Sequence, residues 1–145
     1  MSMTLDPSDS ITQITDRIIG SAINVHRELG PGLLESAYQA CLEYDLSNEG
    51  IRFQRQVALP LTYQGMRLDC GYRVDLFVED RVIVEVKSVE ALARIHYAQM
   101  ITYLKLKRCR VGLLLNFNVA SMRQGIRRVT NRSPFDDVGG SGEPS

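Results

Sequence analysis

The sequence predicts a single α/β domain in which a mixed sheet is flanked by helices. Three observations predict it. Two segments of helical period open the chain, three of strand period follow almost without interruption, and a long helical stretch then precedes a short, almost wholly apolar run, VGLLLN. A crossover of that length permits a parallel pairing, whereas the three strands before it are joined closely enough to be antiparallel. At 145 residues and 44% hydrophobic content, the chain can bury one core.

Residues 1–9 are expected to be disordered, with the domain covering 10–132. Asp9 or Ser10 caps a first helix running to about Leu29, in which Ile11, Ile14, Ile18, Ala22, Val25 and Leu29 form an apolar stripe. Gly30-Pro31-Gly32 stops it, because proline cannot continue the turn and glycine accepts the left-handed C-terminal position. A second helix is expected from about Leu33 to Asn48, with Leu34, Ala37, Tyr38, Cys41 and Leu42 facing inward and Glu49-Gly50 closing it. Strands are expected over Phe53–Tyr63, Met66–Val78 and Val82–Ser88, with turns at Gln64-Gly65 and Glu79-Asp80-Arg81. Pro60 places the first strand at an edge or in a bulge. A third helix over about Ala91–Lys107 leads to VGLLLN at Val111–Asn116, a strand of the kind buried on both faces, and GIRRVT at Gly125–Thr130 reads as the last strand. Residues 133–145, SPFDDVGGSGEPS, read as a disordered tail.

Composition narrows the function. No apolar run approaches the ~20 residues of a membrane helix, and MSMTLDPSDS does not read as a signal peptide, so a cytoplasmic location is expected. Cys41, Cys70 and Cys109 are odd in number and widely spaced, which argues against a disulfide frame or a zinc site. Net charge is zero but unevenly placed. Residues 1–90 hold 8 Lys/Arg against 14 Asp/Glu, while residues 91–132 hold 9 basic residues and no acidic one. Arg94, Lys105, Arg123, Arg127 and Arg128 are therefore candidate contacts to the phosphates of a nucleic acid. Charges that only solubilise the chain are the competing explanation.

The chemistry is concentrated in YRVDLFVEDRVIVEVKS, residues 72–88. Period two puts Ile83, Glu85 and Lys87 on one face of a strand and Val82, Val84 and Val86 on the other, which reads as the buried face. Asp75 on the neighbouring strand adds a second carboxylate. Two carboxylates so close repel unless a cation lies between them, and hard oxygen ligands suit Mg2+ or Mn2+. A lysine beside them can hold developing negative charge, as phosphodiester hydrolysis requires. Glu-x-Lys is also a common pattern on a solvated strand face.

The stretch GLLESAY at 32–38 places glycine, glutamate and tyrosine at Gly32, Glu35 and Tyr38. With Asp75, Glu85-x-Lys87 and the downstream LLLNFN, it closely resembles the GxxExxY proteins, a small prokaryotic family within the PD-(D/E)XK nuclease superfamily. The resemblance covers roughly residues 11–131. It implies a restriction-endonuclease-like αβββαβ core, with Glu35 as the first-helix acid, Asp75 and Glu85 as carboxylates binding Mg2+ or Mn2+, and Lys87 as the catalytic lysine. Gln99 and Tyr103, in QMITY, match the Gln-x-x-x-Tyr helix motif of RecB-type members, and their i, i+4 spacing puts amide and phenol on one helix face. His26 is a further candidate metal ligand, since some RecB-type nucleases take one from an upstream helical histidine; a hydrogen-bonded core histidine is the alternative. His96 falls on the stripe of Gln99 and Tyr103, lining the cleft or capping the packing.

The function expected is a metal-dependent nuclease acting on nucleic acid, DNA before RNA. The alternative is a non-catalytic nucleic-acid-binding or oligomerising module that keeps the fold. A homo-oligomer, or a partner protein that supplies targeting in an accessory role in toxin–antitoxin or phage-defence systems, fits the small size.

Overall fold

The computed structural model describes residues 10–131 of the chain. The expected disordered ends, 1–9 and 133–145, lie outside the described residues, as does residue 132. The elements run α1 (Ile11–Leu29), α2 (Glu35–Asn48), β1 (Phe53–Ala58), β2 (Leu61–Tyr63), β3 (Met66–Leu68), β4 (Arg73–Val78), β5 (Val82–Lys87), α3 (Arg94–Lys107), β6 (Val111–Asn116), a 3-10 turn (Met122–Gly125) and β7 (Ile126–Thr130).

Five strands form one sheet in the order β1-β4-β5-β6-β7. The β5–β6 pair is parallel, and the other neighbours are antiparallel. The mixed sheet and the crossover through α3 therefore stand as the sequence predicts. Ser10 begins α1 with a reciprocal cap: its hydroxyl accepts from the Gln13 N–H, and the Gln13 side chain accepts from the Ser10 N–H.

Both faces of the sheet are covered. On one, Ile14, Ile18, Ala22 and Val25 of α1 and Tyr38, Leu42 and Leu46 of α2 pack on Leu76, Val78, Val82, Val84, Val86, Leu113 and Leu115. On the other, Met100, Tyr103 and Leu104 of α3 pack on Val74, Phe77, Ile83, Leu114 and Val129. Each of the valine, leucine, isoleucine, phenylalanine and methionine side chains among them contributes about 1.5–3 kcal/mol on burial. Gly112 explains itself here: a Cβ would stand 2.4 Å from Met100 Sδ, so its absence makes room for that side chain.

The valine face of β5 is buried as expected, and the competing reading of the Glu85 face as a solvated strand face does not hold. Ile83 is fully buried and Glu85 is only 5% exposed, because α3 roofs that face. Two helix positions expected inside also point outward, Leu29 at 39% and Leu34 at 78% exposure. Leu34 precedes the first turn of α2, which starts at Glu35 rather than Leu33.

The long strands expected over 53–63 and 66–78 are each divided. Leu59 makes the last bond on the first, its N–H donating to Tyr72 O at 2.8 Å, before Pro60, which has no N–H, interrupts it. In the second, the Asp69 carboxylate accepts the Gly71 N–H, and Gly71 takes φ 79, turning the chain. The excised pieces form a separate β2–β3 hairpin over Gln64-Gly65, both at positive φ.

Candidate active site

Strands β4 and β5 pair as far as Leu76↔Val84, and the ladder ends there, one step before Asp75 and Glu85. Side chains bridge the opening. The Asp75 N–H donates to Glu85 Oε2 at 2.7 Å, and Asp75 Oδ2 accepts the Val86 N–H at 2.8 Å. Each carboxylate thus occupies a place the backbone ladder leaves open, and the two are held together where the strands part. Burial, then the Asp75 charge, pushes the Glu85 carboxyl up to about 8, against the opposing pull of the Asp75 N–H and Lys87. Burial raises Asp75 as well, and Glu35 adds to it, while the Val86 N–H and Lys87 work against the rise. Lys87 Nζ stands 4.0 Å from Glu85 Oε1.

Glu35 is brought alongside by a turn that Tyr38 ties. The Tyr38 hydroxyl donates to Gly30 O at 2.5 Å and accepts the Leu33 N–H at 3.1 Å, bracketing the bend in which Gly32 takes φ 102. The Tyr38 ring stacks on Phe117 just beyond β6, with centroids 4.5 Å apart and planes 9° from parallel. The glycine–glutamate–tyrosine spacing therefore fixes Glu35 as the first residue of α2, where a helix favours negative charge. Two bonds join this turn to the end of β5: Ser88 N–H to Glu35 Oε2 at 3.1 Å and Ser88 Oγ to Leu33 O at 2.6 Å.

A mixed sheet between helices, with Asp, Glu and Lys gathered where two strands diverge, is accompanied by a match to the family model of the PD-(D/E)XK nuclease superfamily over residues 12–129. The chain belongs to that superfamily. No curated protein and no solved structure matches it. PD-(D/E)XK nucleases act on nucleic acid and generally use divalent metal ions, usually Mg2+.

The donor set in this PD-(D/E)XK domain fits such an ion. Mg2+ is bound through one or two carboxylates and keeps several waters, and the two crowded carboxylates, one still raised to about 8 beside Lys87, would gain from a divalent charge. Among the described residues, no group of three or more His, Cys, Asp and Glu side chains stands arranged to hold a metal. The expected set of four is thus not assembled: Asp75 and Glu85 form a pair, and Glu35, an exposed residue, is engaged with the Ser88 N–H.

His26 is the clearest departure. It is buried, but its Nε2 lies 2.7 Å from Val119 O, in the segment between β6 and the 3-10 turn. It joins α1 to that segment. His96 caps α3, its Nδ1 accepting the Ala93 N–H at 2.9 Å.

Tyr103 does reach the site's surroundings. Burial first, then the charges of Glu85, Tyr72 and Asp75, raise its phenol, so it keeps its proton near these acids. Gln99 and Tyr103 together line a cavity of about 280 Å³ with Leu61, Tyr72, Ile95 and Thr102.

Arg94, Lys105, Arg123, Arg127 and Arg128 are all exposed, yet they do not make one surface. Val129 packs under α3, so Arg127, two residues away, shares that face. Ile126 packs on the α1–α2 core, and Arg128 shares its side, donating to Thr15 Oγ1 at 3.1 Å.

Two residues that sequence reasoning missed stand beside Asp75. Gln39 is buried, and its Nε2 donates to Asp75 O at 3.2 Å and Glu43 Oε2 at 2.9 Å. Gln56 donates to Gln39 Oε1 at 3.4 Å. Gln39 was detectable only by its neighbourhood, one residue past Tyr38; nothing in the strand pattern marks Gln56.

Proposed function

We propose that the chain is a metal-dependent nuclease that hydrolyses phosphodiester bonds through Asp75, Glu85 and Lys87, with Glu35 beside them. The observation that carries this reading is the crowding of Asp75 and Glu85 in a place where burial raises both and the Asp75 charge raises Glu85 further, with one lysine 4.0 Å from Glu85. Carboxylates perturbed by burial and a like charge gather at functional sites, and a cation between them would relieve the repulsion. A divalent ion held by Asp75 and Glu85 supplies charge neutralisation at the scissile phosphate and a more acidic water. The chain's own residues do the rest. Lys87, half-buried at the end of β5, offers an ammonium to charge developing on the phosphate oxygens. Glu35, at the start of α2, takes part through water. Tyr103, its phenol protonated, donates a hydrogen bond toward the phosphate backbone. Arg127 holds a flanking phosphate from the α3 face of the sheet. The Gly32, Glu35 and Tyr38 spacing favours the GxxExxY group within the superfamily, and DNA is the first substrate to test.

One observation favours a second reading. Both carboxylates accept backbone N–H groups, so their placement also serves the sheet, as it would in a non-catalytic nucleic-acid-binding module. Cleavage of single- and double-stranded DNA and RNA in Mg2+ and Mn2+, alongside Mn2+ binding, separates the two. The nuclease binds Mn2+ and cuts, and Asp75→Asn does neither. A wild type that binds nucleic acid yet cuts nothing with either metal is the module.

A further inference from the structure

Gln56 sits in the middle of β1 with φ 49, the left-handed region. For a residue with a Cβ this backbone conformation is strained, and glutamine is not among the side chains that lessen the strain. The register places it opposite Asp75: β1 pairs with β4 through Arg55↔Leu76 and Val57↔Val74, and the step between them is unpaired. Alternation breaks at this step in both strands. Val74 and Phe77, three apart, lie in the same cluster under α3. Phe53 and Val57, four apart, pack against opposite clusters. The kink thus spans both strands and is centred on the carboxylate proposed to bind the ion.

The side chain shows what the kink achieves. The Gln56 amide, opposite Asp75, acts to lower the Asp75 carboxyl and donates to Gln39 Oε1 at 3.4 Å. Gln39 is 7% exposed and holds the Asp75 carbonyl at 3.2 Å with the same amide that donates to Glu43. Glu43 in turn accepts Arg55 Nε at 3.2 Å, and Arg55 is Gln56's neighbour on β1. A closed ring of polar contacts therefore links β1, α2 and β4 around Asp75. Strained backbone of this kind persists only where surrounding contacts over-determine it, and such strain gathers at functional sites.

We infer that Gln56, braced by Gln39, is a positioning residue that aims the Asp75 carboxylate at the cation. The inference rests on the nuclease reading for the cation, but the aim of the carboxylate can be measured without one. Gln56→Gly is the decisive variant, because glycine accepts φ 49 without strain while the side chain that carries the amide is removed. It should melt within a few degrees of wild type in chelator, while the Val86 N–H, which donates to Asp75 Oδ2, exchanges roughly tenfold faster than in wild type. Other amides of β5 should be unchanged. Calorimetric Mn2+ affinity should fall roughly 10- to 100-fold, the usual effect of losing an outer-shell partner, and Gln39→Ala should move both readouts in the same direction. Unchanged Val86 exchange overturns the inference, as does faster exchange with wild-type Mn2+ affinity. If wild type itself takes up no Mn2+, the nuclease reading fails and the Val86 exchange alone decides whether Gln56 positions Asp75.

Discussion

Asp75 and Glu85 exchange roles across the opening between β4 and β5: the backbone N–H of Asp75 is held by the Glu85 carboxylate at 2.7 Å, and the Asp75 carboxylate holds the N–H of Val86 at 2.8 Å. The acids are therefore part of the sheet and a source of repulsion within it. An oxygen at each position is needed to keep two buried N–H groups satisfied, whereas the negative charge opposes folding when no cation is present.

That conflict predicts how stability depends on pH. Glu85 rises from 4.5 to about 8 on folding, so between those values the folded state holds more protons than the unfolded state. The resulting stability is fully present below about pH 4.5 and is lost as pH rises through about 8. In chelator, wild type should melt at a higher temperature near pH 5.5 than near pH 8.5, and Mn2+ should narrow the difference. Asp75→Asn keeps an acceptor for the Val86 N–H and removes a charge. At the higher pH it should melt several degrees above wild type, as expected for about 1–2 kcal/mol in a domain of this size. A mutant clearly less stable than wild type would show that repulsion does not govern this pair.

The placement of Arg127 and Arg128 predicts that the two adjacent arginines behave differently. Leu114 pairs with Glu85 on one side and Arg127 on the other, so Arg127 lies in the Glu85 row two strand spacings away, roughly 10 Å, on the α3 face. Arg128 faces α1. Arg127→Glu should weaken DNA binding and lower the salt dependence by about one phosphate contact, while Arg128→Glu should leave both near wild type. Titrations of a labelled oligonucleotide at several salt concentrations read both quantities. Equal losses would mean that the nucleic acid wraps the β7 edge.

How much of this was legible in the sequence follows from which interactions are periodic. Element order, the parallel β5–β6 pair and the Asp75, Glu85, Lys87 grouping came from alternation and spacing, which a single chain displays. The division of the first strand was signalled by Pro60, but where β2 and β3 went was not, because that depends on the pairing of Leu59 with Tyr72. The buried state of Glu85 was hidden for a similar reason: only the packing of α3 reveals that its face is roofed. His26 could be read as ligand or core, and the choice was made by Val119, 93 positions away. Gln56 had no signal at all, since a left-handed residue in a strand reflects the tertiary contacts that hold it there.

Gly125 predicts a packing cost that reaches the site. A Cβ there would stand 1.9 Å from the Asn116 carbonyl oxygen, a backbone atom that cannot swing aside. Asn116 also ties down the segment after Lys87, its Oδ1 accepting the Val89 N–H and its Nδ2 donating to Val89 O, both at 3.0 Å. Gly125→Ala should cost about 2–3 kcal/mol by urea unfolding. Gly112→Ala should cost less, because its first obstacle is the flexible Met100 side chain. A Gly125→Ala protein as stable as wild type would show that the β6–β7 connection can shift.

Lys87 provides the test that separates chemistry from binding. Its side chain is 18% exposed, and its Nζ stands 4.0 Å from Glu85 Oε1. In a nuclease its contribution belongs to the transition state more than to bound substrate. Lys87→Ala should therefore leave oligonucleotide affinity within about twofold while cleavage in Mg2+ or Mn2+ falls roughly 100- to 1000-fold, the scale of losing one electrostatic stabiliser. Removing the ammonium also removes a charge that lowers Glu85, so metal-free Glu85 should titrate still higher, which carboxyl NMR can follow. Single-turnover cleavage at saturating protein isolates the chemical step. If affinity and cleavage fall together, Lys87 grips the backbone instead. If cleavage is unchanged while Glu85 moves, its role is confined to tuning the acid.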